Sequence, residues 1–257
     1  MLQKITSKDN KLIKNINKLI NNYSYRKDCN QAILFGEHLI NEAIKYKLLQ
    51  TLLINQNSIN KYSTIINKIG EDSTFVTTKE VIDKINPLNS DIDIFGIVTI
   101  KPAINNLIYE QDAVYLENIQ DPGNLGTILR AALAAGVKNI FLSNGSVDVY
   151  NYKVIRSSQG IQFGLNIFQD YNFDDINNNY KGIVLATTPH AHNIIYDFDY
   201  TKTSVMWVFG NEGKGISNEL LKKIENKVKI PISQDVESLN IAMAASICLF
   251  EVLRQRL

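Results

Sequence analysis

Cysteine is nearly absent from the 257 residues: Cys29 and Cys248 stand far apart, and there are no others. Two such cysteines exclude a disulfide framework and a zinc ribbon, and they suit a reducing compartment. Net charge is nearly absent too, at +1 from 27 Lys and Arg against 26 Asp and Glu. A nucleic-acid partner would therefore have to meet a local basic patch rather than a basic whole. No apolar run reaches membrane-spanning length. The opening Met1-Leu2-Gln3-Lys4-Ile5-Thr6-Ser7-Lys8 has no apolar h-region of a secretory signal. A cytoplasmic protein with no membrane partner is expected.

Several signatures of chemistry are missing as well. A Walker A loop needs four residues between its first Gly and the Gly-Lys pair, and Gly210-Asn211-Glu212-Gly213-Lys214 has two. No Gly-x-Gly-x-x-Gly opens a helix after a first strand, and no Gly-x-Ser-x-Gly elbow occurs. His190-Ala191-His192 would put two imidazoles on one extended face, but no acid or thiol is spaced to complete a metal site. No metal is expected. Internal repeats and low-complexity segments are also lacking.

What is present is alternation. Strand patterns at 32–35, 51–54, 73–77 and 94–100 alternate with helical patterns at 37–48, 57–69 and 79–85, which argues a small α/β domain. Pro102 to Gln111 reads as a linker. A second alternation follows, with strands at 113–116, 139–142, 161–168, 182–186, 204–209 and 227–230. Helices are expected at 124–135, 150–158, 218–225 and 240–255, with Cys248 in the core stripe of the last. Ahead of both lies an amphipathic segment, 7–20. Its Leu12, Ile13, Ile16, Leu19 and Ile20 make one face, while Lys4, Lys8, Lys11, Lys14 and Lys18 recur at spacings of three or four. That lysine face is either solvated or, continued by Arg26 and Lys27, a stripe for phosphates.

The stretch on which the chain turns is Trp207-Val208-Phe209-Gly210-Asn211-Glu212-Gly213-Lys214-Gly215-Ile216-Ser217. A buried strand runs into three glycines enclosing one acid, and Ser217 is placed to cap the next helix. Two further stretches share its setting. Asp121-Pro122-Gly123-Asn124 opens a helix whose core stripe is Leu125, Ile128, Leu129, Ala132 and Leu133; Arg130 projects off that stripe, and Asn124 is either a cap or a ligand contact. Ile230-Pro231 through Ser238-Leu239-Asn240 leads into the last helix. Read singly, each is a cap or a surface loop. Together, all three lie just beyond the carboxyl ends of expected strands, where open α/β sheets bind ligands.

These three stretches, with Lys153-Val154-Ile155-Arg156-Ser157-Ser158-Gln159-Gly160 between the first two, resemble the ordered motifs of the SpoU/TrmH family of RNA 2′-O-ribose methyltransferases, within the SPOUT superfamily. The resemblance is strong from about residue 110 onward. The opening Ile5 to Ile13 and Phe35-Gly36-Glu37 through Ala43 are similar, more weakly, to the RNA-binding domain many members carry in front. It implies an α/β protein: an N-terminal RNA-binding domain over 1–104 and a trefoil-knotted methyltransferase domain over 110–257. It implies S-adenosyl-L-methionine as cofactor, contacted near Gly210, Ile230 and Leu239, and a homodimer acting on RNA, with rRNA favoured over tRNA by analogy. Asn124, Glu212 and Asn240 would line the pocket and fix Arg130, which would orient the ribose hydroxyl. A guanidinium is always protonated, so the proton acceptor stays open. Lys11, Lys18, Arg26, Lys27 and Arg156 are the candidate RNA contacts. A non-catalytic assembly factor of the same fold is the alternative of a different class, against which the intact Asn124, Arg130, Glu212 and Asn240 argue. Ala242 stands where many members have Ser, two residues past the third-motif Asn.

Overall fold

The computed structural model describes residues 2–88, 90–100 and 109–257. Most of the expected linker, 102–108, lies outside the described residues. Contacts divide the chain into two compact units, Met1–Pro102 with Tyr150–Phe163, and Ala103–Val149 with Gly164–Leu257.

The first unit runs β1 (Gln3–Ile5), α1 (Lys11–Asn21), α2 (Tyr23–Cys29), β2 (Gln31–Phe35), α3 (Glu37–Lys45), β3 (Leu49–Asn55), α4 (Ser63–Ile69), β4 (Thr74–Thr77), α5 (Lys79–Ile85) and β5 (Ile94–Thr99). Its five strands form one mixed sheet in the order β1-β4-β3-β5-β2, with β5 antiparallel to both neighbours. The apolar stripe of α1 (Ile13, Ile16, Leu19, Ile20) packs with Ile33, Ile82 and Phe95 into one core. Tyr152 joins that core edge-on to Phe35, and Phe163 meets Tyr46. These aromatic contacts group 150–163 with the first unit, where the sequence placed it with the second.

The second unit runs β6 (Ala113–Leu116), α6 (Pro122–Ala134) and β7 (Asn139–Leu142). After α7 (Tyr152–Ser158), which belongs to the first unit, it continues with β8 (Asn166–Phe168), α8 (Phe173–Asn177), β9 (Ile183–Thr187), β10 (Asn193–Ile194), β11 (Val205–Phe209), α9 (Asn218–Lys223), β12 (Asn226–Lys229) and α10 (Ile241–Arg256). Every strand pair is parallel, in the order β10-β12-β9-β11-β6-β7-β8. Both faces are covered, which is why β6 and β11 are unbroken apolar runs and β7 is apolar after its buried Asn139, all three fully buried. Met206 and Val208 of β11 face a cluster holding Phe173, Ile176, Leu220 and Ile224 of the α8–α9 side. The other face is covered by α10, which packs on α6 and β11. Cys248 is buried there, and burial pushes its thiol up. This layering aims the loops after β6, β11 and β12 past the carboxyl end of the sheet, and the candidate site is built from these three.

Candidate functional site

Asp121, not Asn124, caps α6. Its side chain accepts from the Asn124 amide at 2.7 Å, and Pro122 fills the first helical position, where no amide is missed. The Asn124 side chain is therefore free of capping and reaches outward. Its Nδ2 donates to Glu212 Oε1 at 3.4 Å, and its Oδ1 accepts from Asn240 Nδ2 at 2.9 Å. Asn240 does cap its helix, with Oδ1 accepting from Ala242 N at 2.9 Å. One asparagine thus spans the acid of the glycine loop and the start of the last helix. Residues 88 and 116 positions away in sequence meet on it.

Glu212 is the centre of this set. Its carboxylate also accepts from the backbone amides of Asp121 at 2.9 Å and Gln120 at 3.1 Å. Partial burial works to raise its carboxyl; the amides of Asp121, Glu212 itself and Gln120, with Asn124, outweigh that and hold it below the ordinary carboxylate value. Among the described residues no Lys or Arg pairs with it. The negative charge is held by dipoles alone.

The glycines act on their own chain. A Cβ on Gly210 would lie 2.1 Å from the Gly215 carbonyl carbon and the Ile216 nitrogen. Asn211 and Gly215 close the loop with two backbone bonds of 2.9 and 2.8 Å, and Gly215 takes φ +68. Having no side chain, Gly210 lets one arm of the loop lie against the other.

Gly210, Ile230 and Leu239 fall at the ends of β11, at the end of β12 and just before Asn240, with β9 between the two strands. Among the described residues, the backbone of 231–239 makes one backbone hydrogen bond, Val236 to Ser233. Apart from the Asp235 amide, which donates to Ser233 Oγ at 3.3 Å, the other amides and carbonyls of this exposed loop are donors and acceptors suited to a polar, heteroatom-rich ligand such as S-adenosylmethionine.

Two expectations need correction. Arg130 is exposed, and among the described residues no hydrogen bond or ion pair holds it. Six residues beyond Asn124 on α6, it lies about 240° further round the helix, so Asn124 cannot fix it. Arg26 is only 4% exposed. Its guanidinium donates to the carbonyls of Leu19 (2.7 Å) and Ile20 (3.2 Å), satisfying the end of α1, and is not available to a phosphate. Lys11, Lys18, Lys27 and Arg156 are exposed and share one compact unit.

The sequence reading missed Glu117, which follows β6 directly. Its carboxylate accepts from the Ser217 amide (2.7 Å) and hydroxyl (2.6 Å), tying the glycine loop to the end of β6. An acid immediately after a buried apolar run, Ala113 to Leu116, was the available signal. Gln120 was missed too; its Nε2 binds Asn118 Oδ1 at 2.7 Å and Gly145 O at 2.6 Å, joining the loops after β6 and β7. A polar cleft of about 570 Å3 opens instead at the amino ends of the strands, lined by Glu110, Asp112, Lys138, Lys202 and Arg256 among others. The three motifs do not reach it. Among the described residues, no cluster of three His, Cys, Asp or Glu is placed to hold a metal, and no helix is long and apolar enough to cross a membrane.

The model of the SpoU rRNA Methylase family matches residues 112–250. The chain belongs to this family. Its SpoU relatives include an uncharacterized tRNA/rRNA methyltransferase of Synechocystis, 31% identical over 98% of this chain and 94% of that protein. The 23S rRNA (guanosine(2553)-2′-O)-methyltransferase RlmP of Bacillus subtilis is 26% identical over 98% and 99%. The AdoMet-bound rRNA methyltransferase of Sinorhizobium meliloti superposes with a TM-score of 0.86 at 26% identity, covering 100% of this chain and 99% of that one. The family match covers all three SpoU loops that meet on Asn124.

Proposed function

We propose that the protein transfers a methyl group from S-adenosyl-L-methionine to a ribose 2′-hydroxyl of ribosomal RNA. The observation that carries this reading is the Glu212–Asn124–Asn240 chain, which joins the three family stretches at the carboxyl edge of a parallel sheet. The relatives named above as rRNA methyltransferases support the substrate, and the AdoMet-bound neighbour supports the cofactor.

The cofactor, when bound, supplies an electrophilic methyl on a sulfonium, and the transfer is an in-line displacement. The protein's tasks are to hold both partners in line and to handle the hydroxyl proton. Backbone at Gly210, Ile230 and Leu239 holds the cofactor. Asn124, Glu212 and Asn240 set the pocket wall. Arg130, always protonated, grips the 2′-hydroxyl or the neighbouring phosphate through its planar fork rather than taking the proton. The first unit presents RNA contacts through Lys11, Lys18, Lys27 and Arg156. The trefoil knot implied for the second unit is part of this reading, supported by the likeness to the solved neighbour.

A homodimer belongs to it as well. On α10, Met243 and Phe250 are exposed seven residues apart, and Leu257 at its C-cap continues the interval, an apolar line that a second copy would cover. A cytoplasmic setting suits the two free thiols.

The deciding experiment incubates the protein with methyl-labelled cofactor and, separately, ribosomal RNA and transfer RNA, then maps 2′-O-methyls. Label in the ribosomal arm, undiminished by excess EDTA, is expected. Label only in transfer RNA moves the substrate; label in neither, with RNA still bound, leaves an assembly factor.

A further inference from the structure

Residues 1–27 hold seven Lys and Arg against one acid, Asp9, in a chain of net charge +1. Within that stretch, α1 and α2 meet at an elbow built for rigidity. Asn22 ends α1, donating its amide to Lys18 O at 2.9 Å, and caps α2 by accepting from Tyr25 N at 2.9 Å. The buried Arg26 guanidinium closes the elbow from inside. The Tyr25 hydroxyl donates to Asn15 Oδ1 at 2.9 Å, which fixes the ring across the two helices. On the outside of this elbow stand two cation–aromatic pairs: Lys18 Nζ is 5.1 Å from the Tyr25 ring centre, and Lys27 Nζ is 5.9 Å from that of Tyr23. Tyr23 is 40% exposed, at the first position of α2.

A flat aromatic face with an ammonium beside it matches the two parts of a nucleotide, its base and its phosphate. Duplex RNA hides its bases and would use the lysines alone; an unpaired base uses the ring as well. We propose that the α1–α2 elbow is a stacking platform for an unpaired base of the substrate RNA, with Tyr23 as the stacking face and Lys18 and Lys27 on the flanking phosphates. Because Arg26, Asn22 and Asn15 hold the elbow in shape before RNA arrives, little ordering cost attaches to binding. This rests on the reading of RNA as the substrate and adds which state of the RNA the first unit selects.

The test compares wild type, Tyr23→Ala and Tyr23→Phe in the full chain, binding a short labelled single-stranded RNA and a duplex of equal length. Tyr23→Ala should weaken single-strand binding about fivefold to a hundredfold, Tyr23→Phe should retain it, and duplex binding should not change. Tyr23→Trp adds a direct signal, an indole emission quenched by the single strand, whereas the buried Trp207 of the wild type stays silent. Equal losses on both RNAs, or none on the single strand, overturn the platform. A wild type that methylates ribosomal RNA yet ignores the single strand overturns the platform alone. One that neither binds RNA nor transfers methyl overturns the proposed function, and the platform with it.

Discussion

Two carboxylates of the second unit occupy opposite ends of the same sheet, and they are held in opposite ways. Asp112, before β6, takes a two-pronged ion pair from Arg256 near the end of α10 and also accepts from the Val205 amide at 2.8 Å. Arg256 further donates to the carbonyls of Tyr200 and Thr203, at 2.9 and 2.8 Å. The Asp112 charge is met by a countercharge, and the pair pins the last helix. Glu212, at the carboxyl end, is met by amides and the side chains of Asn124 and Asn211, with no countercharge among the described residues. A neutralised pair offers a ligand little; a carboxylate held only by dipoles keeps its charge for what binds next. A polar cleft opens beside Asp112, yet the physical contrast supports the proposal that the chemistry lies at the Glu212 end.

The contrast breaks most violently at Gly210. Gly210→Ala drives a Cβ into the backbone of Gly215 and Ile216, which no side-chain rotation relieves. A loss of more than about 4 kcal/mol is expected, seen as failure to accumulate folded protein or a collapsed Tm. An Ala variant that melts like wild type would show that the loop opens freely and does not hold Glu212.

Next in size is Arg130. Exposed and unheld, its removal should cost less than about half a kcal/mol of stability. If it grips the ribose hydroxyl in the transition state, Arg130→Ala should lower kcat and kcat/KM together by about a hundredfold to ten-thousandfold, with cofactor binding intact. Arg130→Lys should fail nearly as badly, since a point charge does not reproduce a planar fork. Methylation by Arg130→Ala at near the wild-type rate would remove Arg130 from the site.

That Arg130 and Asn124 stand in one motif but on different helix faces shows where sequence reading stops. Long apolar runs such as Val205–Phe209 were legible, because burial on both faces leaves a continuous signal; so was Lys79–Ile85. Helix α2 was not, since Tyr23–Cys29 has no apolar period and buries only Arg26, a helix held by a cap and by carbonyls. Strand β1 was missed because Gln3 and Lys4 are exposed on an edge strand. The helix expected over 57–69 starts only at Ser63, after two short 3-10 turns, the first capped by Asn55. At 161–168 a turn over Ile161–Gly164 precedes the strand, following Gly160 at φ +79. Of the site, the three stretches could be found, but not their wiring. Whether Asn124 caps or reaches depended on Asp121 taking the cap.

A smaller effect tests the other end of the sheet. Asp112→Ala leaves the Arg256 guanidinium and the Val205 amide short of an acceptor, in a site whose two side chains are 19% and 31% exposed. A stability loss of about 1–3 kcal/mol is expected, between a surface pair and a fully buried one. Activity per folded molecule should hold. A drop in kcat with unchanged melting would reverse the assignment of the two ends.

The smallest effect isolates the charge on Glu212. Its carboxyl sits below the ordinary value of 4.5 in the folded protein because hydrogen bonds to the charged form outweigh the cost of burial. A depressed folded pKa means the unfolded chain takes up the proton first. The associated stability is therefore fully present above about pH 4.5 and is lost as pH falls through the folded value. Glu212→Gln cannot carry that charge, and its amide would turn two donors toward the amides of Gln120 and Asp121 or leave one oxygen to serve both. The gap in Tm between wild type and Glu212→Gln should be widest near neutral pH and narrow steadily on acidification below 4.5. A gap that stays constant with pH would mean that the amides grip the shape of the side chain and not its charge, and the contrast with Asp112 would then fall.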